Sequence, residues 1–561
     1  MSGGLSAQSV EGRPAVAGRS RAPGALAGVA RLPAWTITAV LGFAYVLAAP
    51  ASSDLAAASY RSYLFGREGL ALWDNAWYGG HHLIAYSLFA PPLGWLVGPR
   101  LLAALSMTIA TALFGALVVG RFSDLAVRVA SVFFAVGSAI ALLSCRVPFD
   151  LGLALGLAAL LAAQRDRRAA ALALAALCSL SSPVAGAFLA LAALAWALGG
   201  EQRALALALT AAAIAPILVL VVLFPEGGTQ PFVASAFYPA LAGVLLIAAL
   251  IPPQQRVLRI GAGLYAVAMT ASFLASTAVG GNVDRLGALI GGPVAALVLL
   301  DGPRSSRRPI LMLVLAPALL YWQANAPVAD FLSAQADPAV ESSYYGPLLG
   351  ELRALRVVGQ AHPARIEIVA TRDHWEARWM APSVMLARGW ERQLDRYRNS
   401  LFYDESPLTA ERYHGWLLEQ SVSYIALPDA PLDYSATAEA RLLGGAHPRA
   451  GDGAKPPAYL VEVWHSSHWR LFAVRDASPL VTPRATLTRL GSDSFSLRAP
   501  AAGAYTVRVH FTAYWKLASG HGCVSSAPGD WTRVQMREAG RVRVAIGFSL
   551  GRVLSDGPRC R

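Results

Sequence analysis

The chain is short of charge and of cysteine. Only 14% of its 561 residues are charged, 55% are apolar, and four are cysteines. Soluble domains carry about 25% charged residues, so this composition excludes an ordinary soluble protein and predicts a membrane protein. Lysine is almost absent, with Lys455 and Lys516 the two examples, and arginine supplies the formal charge of +13. Surplus arginine in such a chain is typical of cytoplasmic loops, and nucleic acid is not predicted as a partner.

Metal and nucleotide motifs are also missing. The chain has no C-x-x-C, no H-E-x-x-H and no glycine-rich phosphate loop after a strand. Cys145 and Cys178 fall in or beside apolar segments, whereas Cys523 and Cys560 lie near the C-terminus. A disulfide between Cys523 and Cys560 is compatible with an oxidising compartment, and so are two free thiols.

Apolar segments fill the first three fifths of the chain and predict about eleven membrane spans. They lie at 34–52, 101–120, 125–144, 150–163, 169–182, 184–198, 204–223, 236–251, 258–277, 286–300 and 310–324. Several are shorter than the roughly 20 residues of a straight span, so the orientation is better determined than the count. Links rich in arginine alternate with links poor in it, which places the N-terminus in the cytoplasm. The loop at 53–83 and everything after about 325 are then extracytoplasmic.

Composition divides the chain into four regions. Residues 1–32 predict a disordered cytoplasmic tail, 33–324 a helical membrane domain, 325–450 a mixed α/β region and 451–561 a β-sandwich. The sandwich is predicted from short alternating runs such as "AYLVEVW", "WRLFAV" and "SFSLRAP". A cleaved signal peptide is the alternative for the N-terminus, although the leader is long and the apolar run is nearer to span length.

The first external loop concentrates polar and aromatic residues. It reads "SSDLAAASYRSYLFGREGLALWDNAWYGGHHL" over residues 52–83, with Asp54 about two residues past the first span. A lone acid there is more often an ordinary loop residue, but this loop is too long and too apolar for a plain solvated link. Its candidates for contact with an acceptor are Asp74, Trp77, Tyr78, His81 and His82.

These residues resemble a known pattern. A first span, an acid just outside it, the segments "DLAAASY", "WDNAWYGG" and "YSLFAPPL", further short spans and an external C-terminal region look like the GT-C superfamily of integral-membrane glycosyltransferases. Within it, the loop most resembles bacterial and archaeal membrane proteins named as relatives of 6-pyruvoyl-tetrahydropterin synthase, a name that describes no chemistry here.

The resemblance implies a function for Asp54. It implies that this residue is the catalytic base, that the donor is a sugar on a polyprenyl phosphate, and that the transfer inverts the anomeric centre. The oligosaccharide-transferring members carry a D-x-D-type metal motif where this chain has "SSDLA". A requirement for Mg²⁺ or Mn²⁺ is therefore left open, and no metal ligand is assigned.

A departing phosphate needs positive charge or hydrogen-bond donors. Arg285 is the leading candidate because a cation near the hydrocarbon on the outer side runs against the usual charge bias. The alternative is that Arg285 reaches lipid headgroups or pairs with Asp284. Asn282 is a second candidate and Arg61 in the first loop a weaker one.

Other external segments contribute further candidates. Arg146 and Asp150 in "CRVPFD" either approach the same face of the bundle or form a structural ion pair, and Glu226 is a second carboxylate in a turn. The tryptophans of residues 371–404 either cap the membrane cavity and stack on sugar rings or belong to a packing helix. They are Trp375, Trp379 and Trp390.

The sequence thus favours a hexosyl- or pentosyltransferase of the cell membrane that acts on an extracytoplasmic envelope glycan or glycolipid. One alternative is a transporter or flippase of a lipid-linked glycan, because many spans with a few buried charges fit that class. A second is a non-catalytic scaffold that binds envelope polysaccharide through its β-sandwich, in which case Asp54 is dispensable.

Overall fold

A computed structural model describes residues 32–301, 307–359, 363–445, 455–554 and 560. The predicted disordered tail therefore lies, except for its last residue, outside the described residues. The membrane part is helical, and its helices are α1 Trp35–Ala48, α2 Leu55–Glu68, α3 Ala90–Val97, α4 Pro99–Val118, α5 Asp124–Ala141, α6 Val147–Gln164, α7 Arg168–Ser181, α8 Pro183–Gly199, α9 Arg203–Leu223, α10 Ala234–Leu250, α11 Arg256–Leu274, α12 Asp284–Leu300 and α13 Arg308–Gln335.

Eleven of these helices occupy the places of the eleven predicted apolar segments, while α2 lies in the first loop and α3 lies between that loop and α4. Seven are long and apolar enough to cross a membrane: α4, α5, α6, α9, α11, α12 with the turn before it, and α13. The shorter apolar helices are α1, α7, α8 and α10. The chain is a multi-pass membrane protein, and the number of complete spans stays a prediction.

The helices end and pack as their sequences dictate. Ser182 separates α7 from α8, where its hydroxyl accepts a hydrogen bond from the Ala185 amide and Pro183 occupies the first helical position. Small residues bring the helices close together: a Cβ at Gly152 would lie 2.7 Å from the Cβ of Ala185. Such contacts supply van der Waals packing where no hydrophobic driving force acts between helices.

The first loop forms a compact unit instead of a solvated link. After α2 it makes a short hairpin of β1 Trp73–Asp74 and β2 His81–His82, in which Trp73 stands opposite His82. Trp73 is buried in the core of the C-terminal β-region. The loop therefore joins the membrane part to the C-terminal part, which is predicted to be external.

The next region is a mixed sheet with helices packed around it. Its elements are α14 Ser342–Ala354, β3 Arg365–Ile368, α15 Glu376–Trp379, β4 Met385–Leu386, α16 Arg392–Arg398, α17 Ala410–Glu419, β5 Val422–Pro428, α18 Thr437–Leu442, β6 Leu460–His465 and β7 Trp469–Val474. The five strands run in the order β4-β3-β5-β7-β6, with β3 parallel to β4 and β5 and the remaining pairs antiparallel.

This sheet differs from the boundary predicted at residue 451. The segments "AYLVEVW" and "WRLFAV" were assigned to the sandwich, but β7 pairs with β5 from Tyr424 opposite Ala473 to Pro428 opposite Trp469. Alternation identifies a strand but does not say which strand it pairs with, which explains the difference. The membrane boundary at 324 also differs, since α13 continues to Gln335.

The last part is a β-sandwich. Its elements are β8 Val481–Thr482, β9 Thr486–Leu490, β10 Ser494–Ala499, β11 Gly503–His510, β12 Trp515–Ser519, β13 Gly522–Ala527, β14 Trp531–Met536, β15 Gly540–Ile546 and the short helix α19 Leu550–Leu554. One sheet has the order β12-β15-β10-β9 and the other β13-β14-β11-β8. Phe495, Val507 and Val544 are among the buried residues between them. A disulfide joins Cys523 to Cys560.

Candidate functional site

Asp54 lies at the start of α2, just outside α1. Its carboxylate is 3.6 Å from the Nε of Arg146, and about one fifth of its side chain is accessible. Burial raises the pKa of Asp54, while Arg146 and Arg285 oppose that rise. The carboxylate is therefore a stronger base than an ordinary surface aspartate, and it stands beside cations that favour its charged form.

Arg146 connects Asp54 to a second carboxylate that the sequence did not single out. Its Nη2 lies 3.3 Å from Asp330 Oδ2, and the hydroxyl of Ser144 donates to the same oxygen at 2.6 Å. Asp330 belongs to α13, six residues beyond the predicted end of the last span at 324. An acid near the C-terminal end of an apolar helix was the available signal for this residue.

A cavity of about 450 Å³ opens beside this group. Arg146, Asp150, Asn282 and Arg285 line it from the membrane helices. The external part contributes Arg392 and Tyr434, neither of which was predicted. The structure thus brings together the two leading phosphate candidates and the ion-pair candidates of the second external link.

Two charged groups of this cavity lack a fixed partner. Among the described residues, the guanidinium of Arg285 forms no hydrogen bond and no ion pair, and it lies 5.6 Å from the centre of the Phe149 ring. The buried Oδ2 of Asp150 likewise has no hydrogen-bond partner there. The alternative pairing of Arg285 with Asp284 does not form, because the Asp284 carboxylate accepts a hydrogen bond from the Trp322 indole at 3.1 Å.

An apolar groove adjoins the polar cavity. It has a volume of about 230 Å³ and is lined by residues of α8, α10, α11, α12 and α13 that include Phe188, Ile247 and Leu286. Trp322 lines both the groove and the polar cavity. Polar and apolar spaces that share one wall suit a ligand with a charged head and a long apolar tail.

The acceptor candidates of the first loop lie in the interior. Asp74 accepts a hydrogen bond from the Tyr60 hydroxyl at 2.8 Å, and burial raises its pKa to about 7. Trp77 is fully buried between the rings of Tyr60 and His81, with centroids 4.7 and 5.3 Å away. These side chains touch protein on every side, so their placement favours a structural role.

The remaining loop candidates are also engaged with protein. The hydroxyl of Tyr78 donates to the Glu391 carbonyl at 3.0 Å. His82 lies between Glu226 and Thr512, with its ring nitrogens 2.8 and 3.0 Å from their oxygens. Burial lowers the pKa of His81, so this imidazole is neutral. The loop therefore fixes the external part on the membrane part.

Arg61 lies near Asp54 but is already neutralised. It is buried, forms an ion pair with Glu391 and stacks 4.0 Å from the centre of the Tyr86 ring. It lines a small cavity of about 20 Å³ together with Asp54 and Arg146. That volume holds about one water molecule. Arg61 is thus less suited than Arg285 to meet a new anion.

The three external tryptophans separate into two groups. Trp375 is buried and stacks on Trp379 at 6.0 Å, and the Trp379 indole donates to the Val340 carbonyl at 3.0 Å. Trp390 instead donates to the Ser53 carbonyl at 3.2 Å, next to Asp54. Of the three, Trp390 is therefore the one whose placement fits a cover over the site.

No group of three or more His, Cys, Asp and Glu side chains within the described residues is arranged to hold a metal ion. Asp54 and Asp330 both face Arg146, and Asp150 is the acid that lacks a partner. These described residues do not form a recognisable cation site. The reaction proposed for this protein is therefore not routed through a metal.

Comparisons with known proteins give structural similarity alone. No protein-family model and no curated protein matches the chain. A variant of the arabinofuranosyltransferase AftD from mycobacteria is 14% identical, with a TM-score of 0.41, over 92% of this chain and 59% of AftD. The archaeal oligosaccharyltransferase AglB from Archaeoglobus fulgidus, in complex with an inhibitory peptide and a dolichol-phosphate, is 12% identical, with a TM-score of 0.43, over 71% of this chain and 69% of AglB. These values carry no assignment of activity or of residues.

Proposed function

We propose that the protein is a GT-C type membrane glycosyltransferase that moves a hexose or pentose from a polyprenyl-phosphate donor to a hydroxyl of an extracytoplasmic envelope glycan or glycolipid. The observation that carries the proposal is the contact between Asp54 and Arg146 at a cavity that also presents Arg285 and Asn282. A base beside a group of cations is the arrangement that this transfer requires.

The proposed reaction is a single displacement. The acceptor oxygen attacks the anomeric carbon while Asp54 takes the hydroxyl proton, and the bond from that carbon to the phosphate oxygen breaks. The bonding electrons leave with the polyprenyl phosphate, and the anomeric configuration inverts. Arg285 and Asn282 face the negative charge that accumulates on the departing phosphate.

The cavity and the groove support a lipid-linked donor. Arg285 supplies a guanidinium without a protein partner among the described residues, as expected for a group that awaits an anionic ligand. The apolar groove beyond Trp322 offers a place for the isoprenoid chain. A soluble nucleotide sugar would have no use for that groove.

The first test replaces the base. In cells that lack the gene, wild type and Asp54→Asn are compared at equal membrane abundance, with Asp124→Asn as the matched control because Asp124 is exposed and far along the chain at the start of α5. We expect Asp54→Asn to lower transfer by about 10²–10⁴-fold, since the amide cannot take a proton. The measurement is envelope glycan composition and linkage, together with the amount of unreacted lipid-linked sugar.

The two outcomes separate the alternatives. If wild type and Asp124→Asn restore a missing linkage while Asp54→Asn lets the donor accumulate, the transferase proposal stands. If Asp54→Asn restores every linkage, Asp54 is an ordinary loop residue, and the protein is a transporter or a polysaccharide-binding scaffold.

A further inference from the structure

One sheet of the β-sandwich has an outward face made of cations and hydroxyls. In its strands β10 and β15, buried apolar residues alternate with polar residues that are exposed or half-buried, and β9 and β12 flank this pair. We name the exposed cations of these strands the arginine face: Arg489, Arg498, Lys516, Arg541 and Arg543. Thr486, Ser494, Ser496 and Ser519 lie between them.

Strand register arranges these side chains in rows. Ser496 on β10 stands between Arg489 on β9 and Arg543 on β15. In the next row Arg498 stands directly opposite Arg541. Rows in a sheet are about 7 Å apart along the strand, and neighbours across strands are about 5 Å apart. Guanidinium and hydroxyl groups thus share two neighbouring rows of the face.

Three arginines of this face have no ion-pair partner among the residues that the structure describes. The four strands include no Asp or Glu, and Arg498, Arg541 and Arg543 form no ion pair with any residue that the structure describes. Glu538, in the adjacent turn, lies 3.8 Å from His521. Like charges directly opposite each other destabilise a sheet, so the Arg498 and Arg541 pair has a cost that an anionic ligand would offset.

The chemistry of the face identifies the class of ligand. Guanidinium groups bind carboxylate and phosphate in bidentate geometry, and the serine and threonine hydroxyls suit the hydroxyls of a sugar. The aromatic residues of these strands, Phe495 and Trp515, are buried in the sandwich core. The face therefore offers no ring on which a nucleic-acid base could stack.

The face extends from the contact between the sandwich and the first loop to the opposite end of its strands. The turn between β9 and β10 contacts the first loop, where the Asn75 amide donates to the Ser492 carbonyl at 2.7 Å. Arg498 lies six residues further along β10, about 20 Å from that contact. The strand thus carries Arg498 away from the contact between the sandwich and the first loop.

We propose that the arginine face binds an acidic polysaccharide of the cell envelope. The proposal does not depend on the transfer chemistry of Asp54. Binding at this face would hold an anionic polymer on the sheet formed by β9, β10, β12 and β15.

Binding is tested on the full chain in neutral nanodiscs. The probes are polygalacturonate as an acidic polysaccharide, dextran as a neutral one, and vesicles that contain phosphatidylglycerol. The variant R489Q/R498Q/R541Q/R543Q is compared with R533Q/R537Q, a control from the other sheet of the same sandwich. We expect wild type and control to bind polygalacturonate but not dextran, and the quadruple variant to lose about tenfold or more in affinity. Added salt weakens the binding of wild type.

Two further variants keep the proposal falsifiable. R541Q alone should weaken binding without lowering the unfolding temperature, because it removes the opposed like charges. Asp54→Asn should bind as wild type does, which separates this proposal from the transferase proposal. Equal affinity of wild type and the quadruple variant would overturn the proposal. Arginine-dependent binding to the phosphatidylglycerol vesicles, without binding to polygalacturonate, would overturn it in favour of lipid.

Discussion

Two groups of charges in this protein are built differently: one in the α/β region is buried, and one at the membrane cavity is mostly half-buried. In the α/β region, Arg388 donates to Asp395 through Nε and Nη2, the Nη2 bond being 2.6 Å long, and its Nη2 also donates to Ser435. Tyr403 donates to the same carboxylate at 2.6 Å. At the membrane cavity, by contrast, Arg146 stands 3.6 Å from Asp54, and Arg285 forms no ion pair with any described residue.

The difference teaches how to tell a structural charge from a functional one. A buried charge costs free energy unless partners satisfy it, and the Arg388 group meets most of that requirement within the protein. Its Nη1 and the Oε2 of Glu439 form no hydrogen bond, but they lie 3.6 Å apart as an ion pair. The Oδ2 of Asp150 does not meet that requirement within the described residues. Arg285 is half-buried, and its guanidinium forms no hydrogen bond and no ion pair there. Buried groups that the protein leaves without partners are candidates for contact with a ligand. The predictions below test this contrast.

Breaking the satisfied group should produce the largest effect, and the effect should be on stability. Arg388→Met leaves Asp395 and Glu439 buried without their cation, and we expect a loss of about 3–5 kcal/mol in the free energy of unfolding. Thermal unfolding of the full chain in detergent measures it, with Arg353→Met as an exposed control. If Arg388→Met is stable but inactive, the Arg388 group takes part in transfer. The contrast between this group and the group at the membrane cavity would then fail.

Removing the unsatisfied cation should affect transfer instead. For Arg285→Gln we expect transfer to fall about 10²–10³-fold, because one donor to the departing phosphate is lost. The unfolding temperature should stay near that of wild type, since no described ion pair is broken. Arg256→Gln on the neighbouring α11 is the matched control, because Arg256 is exposed. If transfer is unchanged in Arg285→Gln, the guanidinium does not contact the departing phosphate, and contact with lipid headgroups becomes its role.

The sequence predicts the membrane part better than the site. The places of the apolar helices follow from hydropathy, which each segment carries by itself. The partners of each strand do not follow from hydropathy. The pairing of β7 with β5 was missed because it depends on residues about 45 positions apart in the sequence. Trp77 and His81 show the same limit: aromatic and imidazole groups fit a ligand site or an interior equally well, and only packing decides. Asp330 was missed because contact with Arg146 joins distant segments.

Asp330 offers the smallest and sharpest test of the site. Arg146 contacts both Asp54 and Asp330, and the negative charge of Asp330 helps to raise the pKa of Asp54, whereas Arg146 and Arg285 lower it. Asp330→Asn removes one raising influence, so the pKa of Asp54 should fall. Because transfer requires unprotonated Asp54, the acidic limb of the profile of kcat/KM against pH should move to lower pH.

The pH profile distinguishes this positioning role from a merely structural one. A structural role would lower the amount of folded protein and scale the whole profile without moving it. Asp124→Asn, which changes a remote exposed acid, should leave the limb in place. Movement of the limb to higher pH in Asp330→Asn would contradict the electrostatic argument, and an unmoved limb would mean that Asp54 is not the group whose ionisation controls transfer.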